Sequence, residues 1–246
     1  MSSHRFYIPP HVWKSGRLAL DSGESHHAVE VLRLKAGDRV TVFNGEGAEA
    51  TAEIAKAGRD QVELRQIQAG KTAPLSCAIT LAQAVPKGKN MELIIEKATE
   101  LGAAAIAPLL SERTVVQCDR DEALKKKHKW QRVAVEACKQ CGQNWLPVVH
   151  IPQTPKDFFN ASHRFDLMLI ASLQDDAKRL KAVLAEFGAQ LPKSVLILVG
   201  PEGDFTPAEI SLAKSNGCRP ITLGPIILRT ETAAIYCLSV LSHELL

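Results

Sequence analysis

The chain has 246 residues, of which 46% are apolar and 23% charged, and its net charge at pH 7 is +3. This composition excludes an intrinsically disordered or low-complexity chain, because so much apolar surface can offset the entropy lost on folding. The longest apolar run, at 195–199, is far shorter than the roughly 18 residues of a membrane span, and the N-terminal residues lack the apolar core of a secretion signal. We therefore expect a soluble, cytoplasmic protein with no membrane partner.

The first seventy residues are predicted to form short strands of a small β-barrel. Residues 39–43 and 62–67 run apolar or alternate as strands do, and only 25–34 has helical spacing. A composition break at 69–74, which contains a glycine, a threonine and a proline, is typical of a linker. The sequence therefore predicts a first domain at 1–70 and a second at 75–246.

The segment 45–50 matches the Gly-x-Gly-x-x-Ala fingerprint of dinucleotide-binding loops. However, residues 48–55 alternate with the period of a strand, whereas the fingerprint requires a helix there. The two glycines are therefore predicted to form a hairpin turn.

Beyond the linker, apolar strands alternate with helices. The predicted strands are 77–85, 104–109, 167–171, 195–199 and 221–223, and the predicted helices are 90–101, 121–141, 176–187, 207–216 and a last helix from 230. Near-continuous apolar strands that alternate with helices favour a parallel sheet covered on both faces. The second domain is therefore predicted to be α/β.

A basic run at 125–129, followed by Arg132 and Lys139, lies within the helix predicted at 121–141. Such a helix can follow a phosphate backbone, and Trp130 beside the run can stack on a base. A solvated helix face is the alternative interpretation.

Cys138 and Cys141 form a Cys-x-x-Cys pair with no second pair to complete a metal site. We interpret them as small residues near a helix end, and no metal site is predicted.

Two loops between a strand and a helix are candidates for chemistry. The segment 200–204, Gly-Pro-Glu-Gly-Asp, follows the most apolar strand and precedes a helix start marked by Thr206, Pro207 and Glu209. The segment 223–232 has the same place after the last strand, and its Arg229 is a cation at a helix N-terminus, where the helix dipole disfavours it. Loops at the carboxyl ends of parallel strands are where open α/β sheets bind ligands.

Together with shorter motifs at 5–7, 26–33, 96–102, 112–113 and 140–142, these loops resemble the bacterial 16S ribosomal RNA uridine-N3 methyltransferases of the SPOUT superfamily. The resemblance implies an N-terminal PUA-like β-barrel that helps to bind RNA and a C-terminal SPOUT-type α/β domain with a deep trefoil knot. It also implies S-adenosylmethionine as cofactor, the 16S rRNA or the small ribosomal subunit as partner, and a homodimer.

The resemblance also implies roles for particular residues. The catalytic candidates are Arg229, which would stabilise a uracil anion, and Glu231, which would accept the N3 proton. The cofactor-binding candidates are Leu198, Gly200, Glu202, Gly203, Leu223, Gly224, Ile227, Leu228 and Thr232. The candidate RNA contacts are the basic residues of the shorter motifs and of the basic helix, namely Arg5, Arg33, Lys97, Arg113, Lys126, Lys129 and Arg132.

The chain departs from the family pattern at several positions. Ile226, Gln143 and Trp145 stand where basic residues are expected, and Asp204 stands where glycine is common. A non-catalytic RNA-binding or ribosome-assembly factor is therefore the alternative function. A nucleotide-binding hydrolase would need a phosphate-binding loop signature that the sequence lacks.

Overall fold

A computed structural model describes residues 4–14, 16–114, 118–161, 164–188 and 190–246. The chain divides into two compact units, the first made of Met1–Pro74 and Val135–Leu146, the second of Leu75–Ala134 and Pro147–Leu246. Residues 1–3, on which the expectation about a secretion signal partly depends, lie outside the described residues. No helix within the described ranges has both the length and the apolar character to cross a bilayer.

The first unit is built on a five-stranded half-barrel sheet in the order β1-β3-β4-β5-β2. Its strands are β1 (Arg5–Tyr7), β2 (Leu18–Ala19), β3 (Arg39–Phe43), β4 (Ala48–Ala57) and β5 (Val62–Lys71). The pair β1–β3 is parallel and the other pairs are antiparallel. Alternate residues such as Val40, Val42, Ala52 and Ile54 are buried in one core with Phe6, as the period of a strand requires.

A helix predicted at 25–34 begins earlier, as α1 (Ser22–His26), and continues as a π-helical turn at His27–Val31. The reason for the earlier start is a cap, since the Asp21 side chain accepts a hydrogen bond from the backbone N–H of Glu24.

The predicted hairpin at 45–50 is confirmed, because β3 and β4 pair in antiparallel fashion around it. Gly45 and Gly47 have φ of +78° and +88°, and residues with a side chain disfavour such positive values.

The linker prediction at 69–74 is wrong for 69–71. Those residues are the end of β5 and pair with β4.

The second unit contains a seven-stranded sheet in the order β10-β12-β9-β11-β6-β7-β8, and every pair in it is parallel. Its strands are β6 (Ala78–Ala84), β7 (Ala103–Leu109), β8 (Val148–Val149), β9 (Leu167–Ala171), β10 (Lys178–Arg179), β11 (Ser194–Val199) and β12 (Arg219–Thr222). Its helices are α2 (Asn90–Glu100), α3 (Arg120–Cys141, whose last turns belong to the first unit), α4 (Pro155–Asn160), α5 (Leu180–Ala185), α6 (Pro207–Ser215) and α7 (Thr230–Leu245).

The predicted parallel α/β sheet is confirmed. Both faces are buried along β11, where residues 195–199 are at most 2% exposed. The helix predicted at 176–187 is shorter, because β10 pairs with β12 before α5 begins. Since β12, β9, β11 and β6 are neighbours and parallel, the loops that leave their carboxyl ends lie along one edge of the sheet.

Candidate active site

Three loops at this edge of the sheet, those after β9, β11 and β12, line one pocket together with the first turn of α7. The lining residues are Ala171, Ser172, Leu173, Val199, Gly200, Pro201, Glu202, Asp204, Leu223, Gly224, Ile226, Ile227, Leu228, Thr230 and Ala233. The two loops singled out in the sequence are therefore brought together, and the loop after β9 joins them.

The pocket carries unusually exposed apolar side chains. Leu173, Ile226 and Ile227 are 64%, 74% and 75% exposed, more than any other large apolar residue in the described ranges. Apolar surface concentrated around a concavity is typical of a ligand site. Ile226, which departs from the family pattern, thus adds apolar rather than cationic surface to the pocket.

The loop after β11 turns sharply at Gly200. A Cβ atom there would lie 3.1 Å from Oδ1 of Asp204 and 3.2 Å from the backbone nitrogen of Phe205. Asp204 has φ of +61° and accepts a hydrogen bond from the Phe205 N–H at 2.7 Å. Asp is among the few residues that tolerate this conformation. The departure at Asp204 is therefore compatible with the turn.

The predicted start of α6 is confirmed. Thr206 is the N-cap, Pro207 stands in the first turn, and Thr206 and Glu209 form a reciprocal capping box. This cap fixes where the loop after β11 ends.

The start of α7 is tied to the loop after β11 through Thr230. The Thr230 hydroxyl donates to the carbonyl oxygen of Gly200 at 2.6 Å and accepts from Nε2 of Gln83 at 2.9 Å. Arg229 is the N-cap residue of α7, and its side chain makes no capping hydrogen bond. Sequence reasoning missed Gln83, although it is the one amide in the otherwise mostly apolar strand β6.

Glu202 links this loop to the loop after β6. Its Oε1 accepts a hydrogen bond from the backbone N–H of Lys87 at 3.0 Å. Glu202 and Asp204 both line the pocket, so it contains two carboxyl groups.

Six of the nine cofactor-binding candidates line the pocket, namely Gly200, Glu202, Leu223, Gly224, Ile227 and Leu228. The other three lie beside it. Leu198 is 1% exposed in the core of the sheet, Gly203 accepts a hydrogen bond from Arg113, and Thr232 is exposed on α7.

The catalytic candidates flank Thr230 at the N-terminus of α7. Arg229 is exposed and Glu231 is partly buried in the first turn. Neither belongs to the pocket lining, but Thr230 between them does. A carboxylate in the first turn is favoured by the helix dipole.

Several of the candidate RNA contacts are engaged by acidic side chains. Lys97 lies 2.8 Å from carboxylates of both Glu96 and Glu100, and the hydrogen bonds to Glu100 and Glu96 raise the pKa of its ammonium group. Lys129 pairs with Glu92 at 2.6 Å. Both ammonium groups therefore already have carboxylate partners.

Arg5 is held within the first unit. Its guanidinium donates to Glu49 and Asn144 at 2.7 Å each and lies 4.9 Å from the centre of the Phe43 ring. Arg33, in contrast, is exposed with φ of +57°.

The basic helix is α3, where Arg132 is exposed and Lys126 is partly exposed. Trp130 is only 6% exposed, so the expectation that its ring stacks on a base is wrong. The ring is on the buried side of the helix because it supplies the apolar face that packing requires.

Trp145, which departs from the family pattern, packs within the first unit. Its indole N–H donates to the Thr72 carbonyl at 3.0 Å, and its ring lies against Gly47.

Cys138 is buried and Cys141 exposed, and both are free thiols.

Comparison with known proteins agrees with this arrangement. A family model described as an RNA methyltransferase domain matches residues 73–242, and one described as an RNA methyltransferase PUA domain matches 20–67. Ribosomal RNA small subunit methyltransferase E from Bacillus subtilis is 34% identical over 224 residues, which cover 90% of this chain and 88% of that protein.

Two solved structures match nearly the whole chain. A Legionella pneumophila protein in complex with bound cofactor SAM has a TM-score of 0.88 and 36% identity, covering 99% of this chain and 98% of that one. Ribosomal RNA small subunit methyltransferase E from Neisseria gonorrhoeae, bound to S-adenosyl methionine, has a TM-score of 0.86 and 28% identity, covering 98% of each chain. With both of its units matched, this chain belongs to the ribosomal RNA small subunit methyltransferase E family.

Proposed function

We propose that this protein transfers the methyl group of S-adenosylmethionine to N3 of a uridine in the 16S RNA of the small ribosomal subunit. The observation that carries the proposal is the pocket between the loops after β9, β11 and β12, beside the N-terminus of α7. The relatives that carry the methyltransferase E name, and the related structures with bound cofactor, support it.

The residues present fit the cofactor. The exposed side chains of Leu173, Ile226 and Ile227 offer an apolar surface of the kind that an adenine ring covers. The carboxyl groups of Glu202 and Asp204 suit a ligand that carries an ammonium and a sulfonium group. We extend the proposal to all nine cofactor-binding candidates, with Leu198, Gly203 and Thr232 acting as support for the lining.

Bound S-adenosylmethionine supplies an activated methyl group on a sulfonium centre. The protein must therefore orient the uracil and remove its N3 proton. Glu231 would accept this proton, and Arg229 would stabilise the negative charge that develops on the uracil ring. The N3–H bond breaks as the N3–methyl bond forms, and the electron pair of the broken sulfur–methyl bond stays on sulfur.

RNA binding is proposed for the seven basic candidates. Of these, Arg33, Arg113, Lys129 and Arg132 are exposed, and Arg5, Lys97 and Lys129 have acidic partners. Arg113 has a distinct place, because its guanidinium donates to the carbonyl of Gly203 in the loop after β11. It would act where RNA approaches the pocket.

Three further features implied by the family resemblance complete the proposal. The protein would be a homodimer with its sites near the subunit interface, the α/β unit would carry a deep trefoil knot, and the enzyme would act in the cytoplasm. Light scattering on the purified protein tests the first of these, since a monomeric mass at micromolar concentration contradicts it.

The proposal is tested by incubating small ribosomal subunits that lack the modification, and separately naked 16S rRNA, with the protein and methyl-labelled S-adenosylmethionine. We expect label at one uridine, where the N3 methyl group blocks base pairing and stops reverse transcription. Calorimetric titration with S-adenosylmethionine is the companion measurement. Absence of both heat and label would support the non-catalytic alternative and overturn the proposal.

Glu231→Gln separates the general base from the rest of the site. We expect cofactor binding to persist and methyl transfer to fall by roughly 10²-fold or more. Transfer at the wild-type rate, with binding intact, removes Glu231 from this role.

A further inference from the structure

Gln83 is a buried amide at the carboxyl end of β6, with no measurable exposure. Its Nε2 donates to the carbonyl oxygen of Ala84 and to the hydroxyl of Thr230, each at 2.9 Å, and lies 3.5 Å from the carbonyl oxygen of Val199. One amide group therefore contacts the ends of two neighbouring strands and the first residue of α7.

The direction of these hydrogen bonds is determined by chemistry. The single hydrogen of the Thr230 hydroxyl is directed at the carbonyl oxygen of Gly200, 2.6 Å away. The hydroxyl must therefore accept from Gln83, and only the nitrogen end of the amide can serve. The chain of donors runs from Gln83 through Thr230 to Gly200, and each bond polarises the next.

The other end of the Gln83 amide is unusual. Its Oε1 is buried and accepts no hydrogen bond from any described residue. A buried carbonyl oxygen without a donor lowers stability relative to an apolar side chain of similar size. A buried polar atom that is left without a hydrogen-bond partner is typical of functional positions.

We infer that Gln83 is a positioning residue for methyl transfer, which acts through Thr230 to hold the first turn of α7 against Gly200. The inference rests on the proposed function, because that turn carries Arg229 and Glu231 and Gly200 lines the pocket. Without the Gln83 bond, the Thr230 hydroxyl is free to rotate away from Gly200. The catalytic candidates then lose their fixed distance from the loop after β11.

The test uses three variants of the full chain: Gln83→Met, Thr230→Val and Thr230→Ser. For the methionine and valine variants we expect kcat to fall by about tenfold or more, because small displacements of catalytic groups reduce rates strongly. The KM for S-adenosylmethionine should change by less than about threefold. Thr230→Ser keeps the hydroxyl and should recover kcat to within about threefold of the wild-type value.

Hydrogen exchange of the cofactor-free protein provides a readout that does not depend on activity. We expect the hydrogen-bonded amides of Asp204, Phe205 and Ala233 to exchange faster in Gln83→Met and Thr230→Val, and at the wild-type rate in Thr230→Ser. Melting temperatures show whether a variant is folded. If Thr230→Val fails to fold, Gln83→Met alone decides the question, since methionine nearly matches glutamine in size.

An unchanged kcat in Gln83→Met, or a loss of kcat that merely follows the loss of folded protein, overturns the inference. So does Thr230→Ser behaving like Thr230→Val. Failure of the proposed function is a different result, since the wild-type protein itself would then not methylate RNA. In that case the hydrogen-exchange comparison still reports whether Gln83 holds the α7 turn.

Discussion

The hydroxyl of Ser111 donates a hydrogen bond of 3.0 Å to the carboxylate of Glu209, although 98 residues separate them. The same carboxylate accepts from the backbone N–H of Glu112 at 3.0 Å and from that of Thr206 at 2.9 Å. A residue that completes the cap of α6 thus also holds the loop after β7. Arg113, in that loop, donates to Gly203, so Glu209 joins two loops near the candidate active site.

Glu209→Gln should destabilise the protein. Glu209 is only 8% exposed, and an amide nitrogen cannot accept the bonds that the replaced carboxylate oxygen accepts. We expect the free energy of unfolding to fall by about 1–3 kcal/mol, measured by urea denaturation. Glu244→Gln is the matched control, because Glu244 is exposed on α7, and it should change stability by less than about 0.5 kcal/mol. Equal effects of the two variants would show that Glu209 has no special role.

A substitution at Gly47 tests how tightly Trp145 packs against the hairpin in the first unit. It has φ of +88°, and a Cβ atom there would lie 2.6 Å from the Thr72 carbonyl oxygen and 2.8 Å from the Trp145 ring. Gly47→Ala therefore combines backbone strain with a steric clash, and we expect a loss of about 2–5 kcal/mol of stability.

Gly37→Ala isolates the backbone contribution. Gly37 has φ of +93°, but a Cβ atom there would meet no heavy atom within 4 Å. This variant should lose only about 1–2 kcal/mol in the same urea titration. Should Gly47→Ala prove no worse than Gly37→Ala, the contact between Trp145 and the hairpin is not what restricts this glycine.

The elements that the sequence predicts best are those whose signals are local. The apolar run at 195–199 and the capping residues Thr206 and Glu209 each lie within one short window, and β11 and α6 are found where these signals lie. The helix predicted at 176–187 begins late, because pairing between β10 and β12 involves a strand some forty residues away. Hydrophobic spacing contains no information about such a partner.

In the candidate site, too, the sequence predicts the features that have a local signal and not those that depend on distant partners. The loops at 200–204 and 223–228 were recognisable from their glycines and from their positions after strands, but the loop with Leu173 was not, since nothing local distinguishes it. Gln83 had a local signal, an amide in a mostly apolar strand, yet its partner Thr230 is 147 residues away. Only the fold shows that the two meet.

We expect the carboxyl group of Asp166 to make the stability of the folded protein depend on pH. Hydrogen bonds from the backbone of Lys193 and from Ser194 lower the pKa of its carboxyl group in the folded protein. Because this pKa is lower in the folded than in the unfolded protein, ionised Asp166 stabilises the folded state above about pH 4. This stabilisation is lost as the pH falls through the folded-state pKa. Wild type should therefore be more stable than Asp166→Asn at pH 7, and the difference in urea midpoint should shrink below pH 4.

Asp175→Asn is the control for this pH series, since Asp175 is also exposed. Measured over pH 3 to 7, this variant should change the free energy of unfolding by less than about 0.5 kcal/mol. A difference for Asp166→Asn that stays constant over the same range would contradict the assignment of the pH effect to this carboxylate.

The two cations Arg132 and Lys97 should contribute differently to RNA binding. Arg132 is exposed on α3, and no carboxylate in the described ranges forms an ion pair with it, whereas Lys97 lies 2.8 Å from each of two carboxylates. A cation that releases a counterion from a phosphate changes the slope of log K against log salt concentration by about one unit. Arg132→Gln should therefore reduce the slope for 16S rRNA by about one unit. Lys97→Gln should reduce it by less, because the ammonium group of Lys97 already pairs with Glu96 and Glu100. Filter binding at several salt concentrations measures both slopes, and a larger change for Lys97→Gln than for Arg132→Gln would place the RNA on the α2 side of the molecule instead.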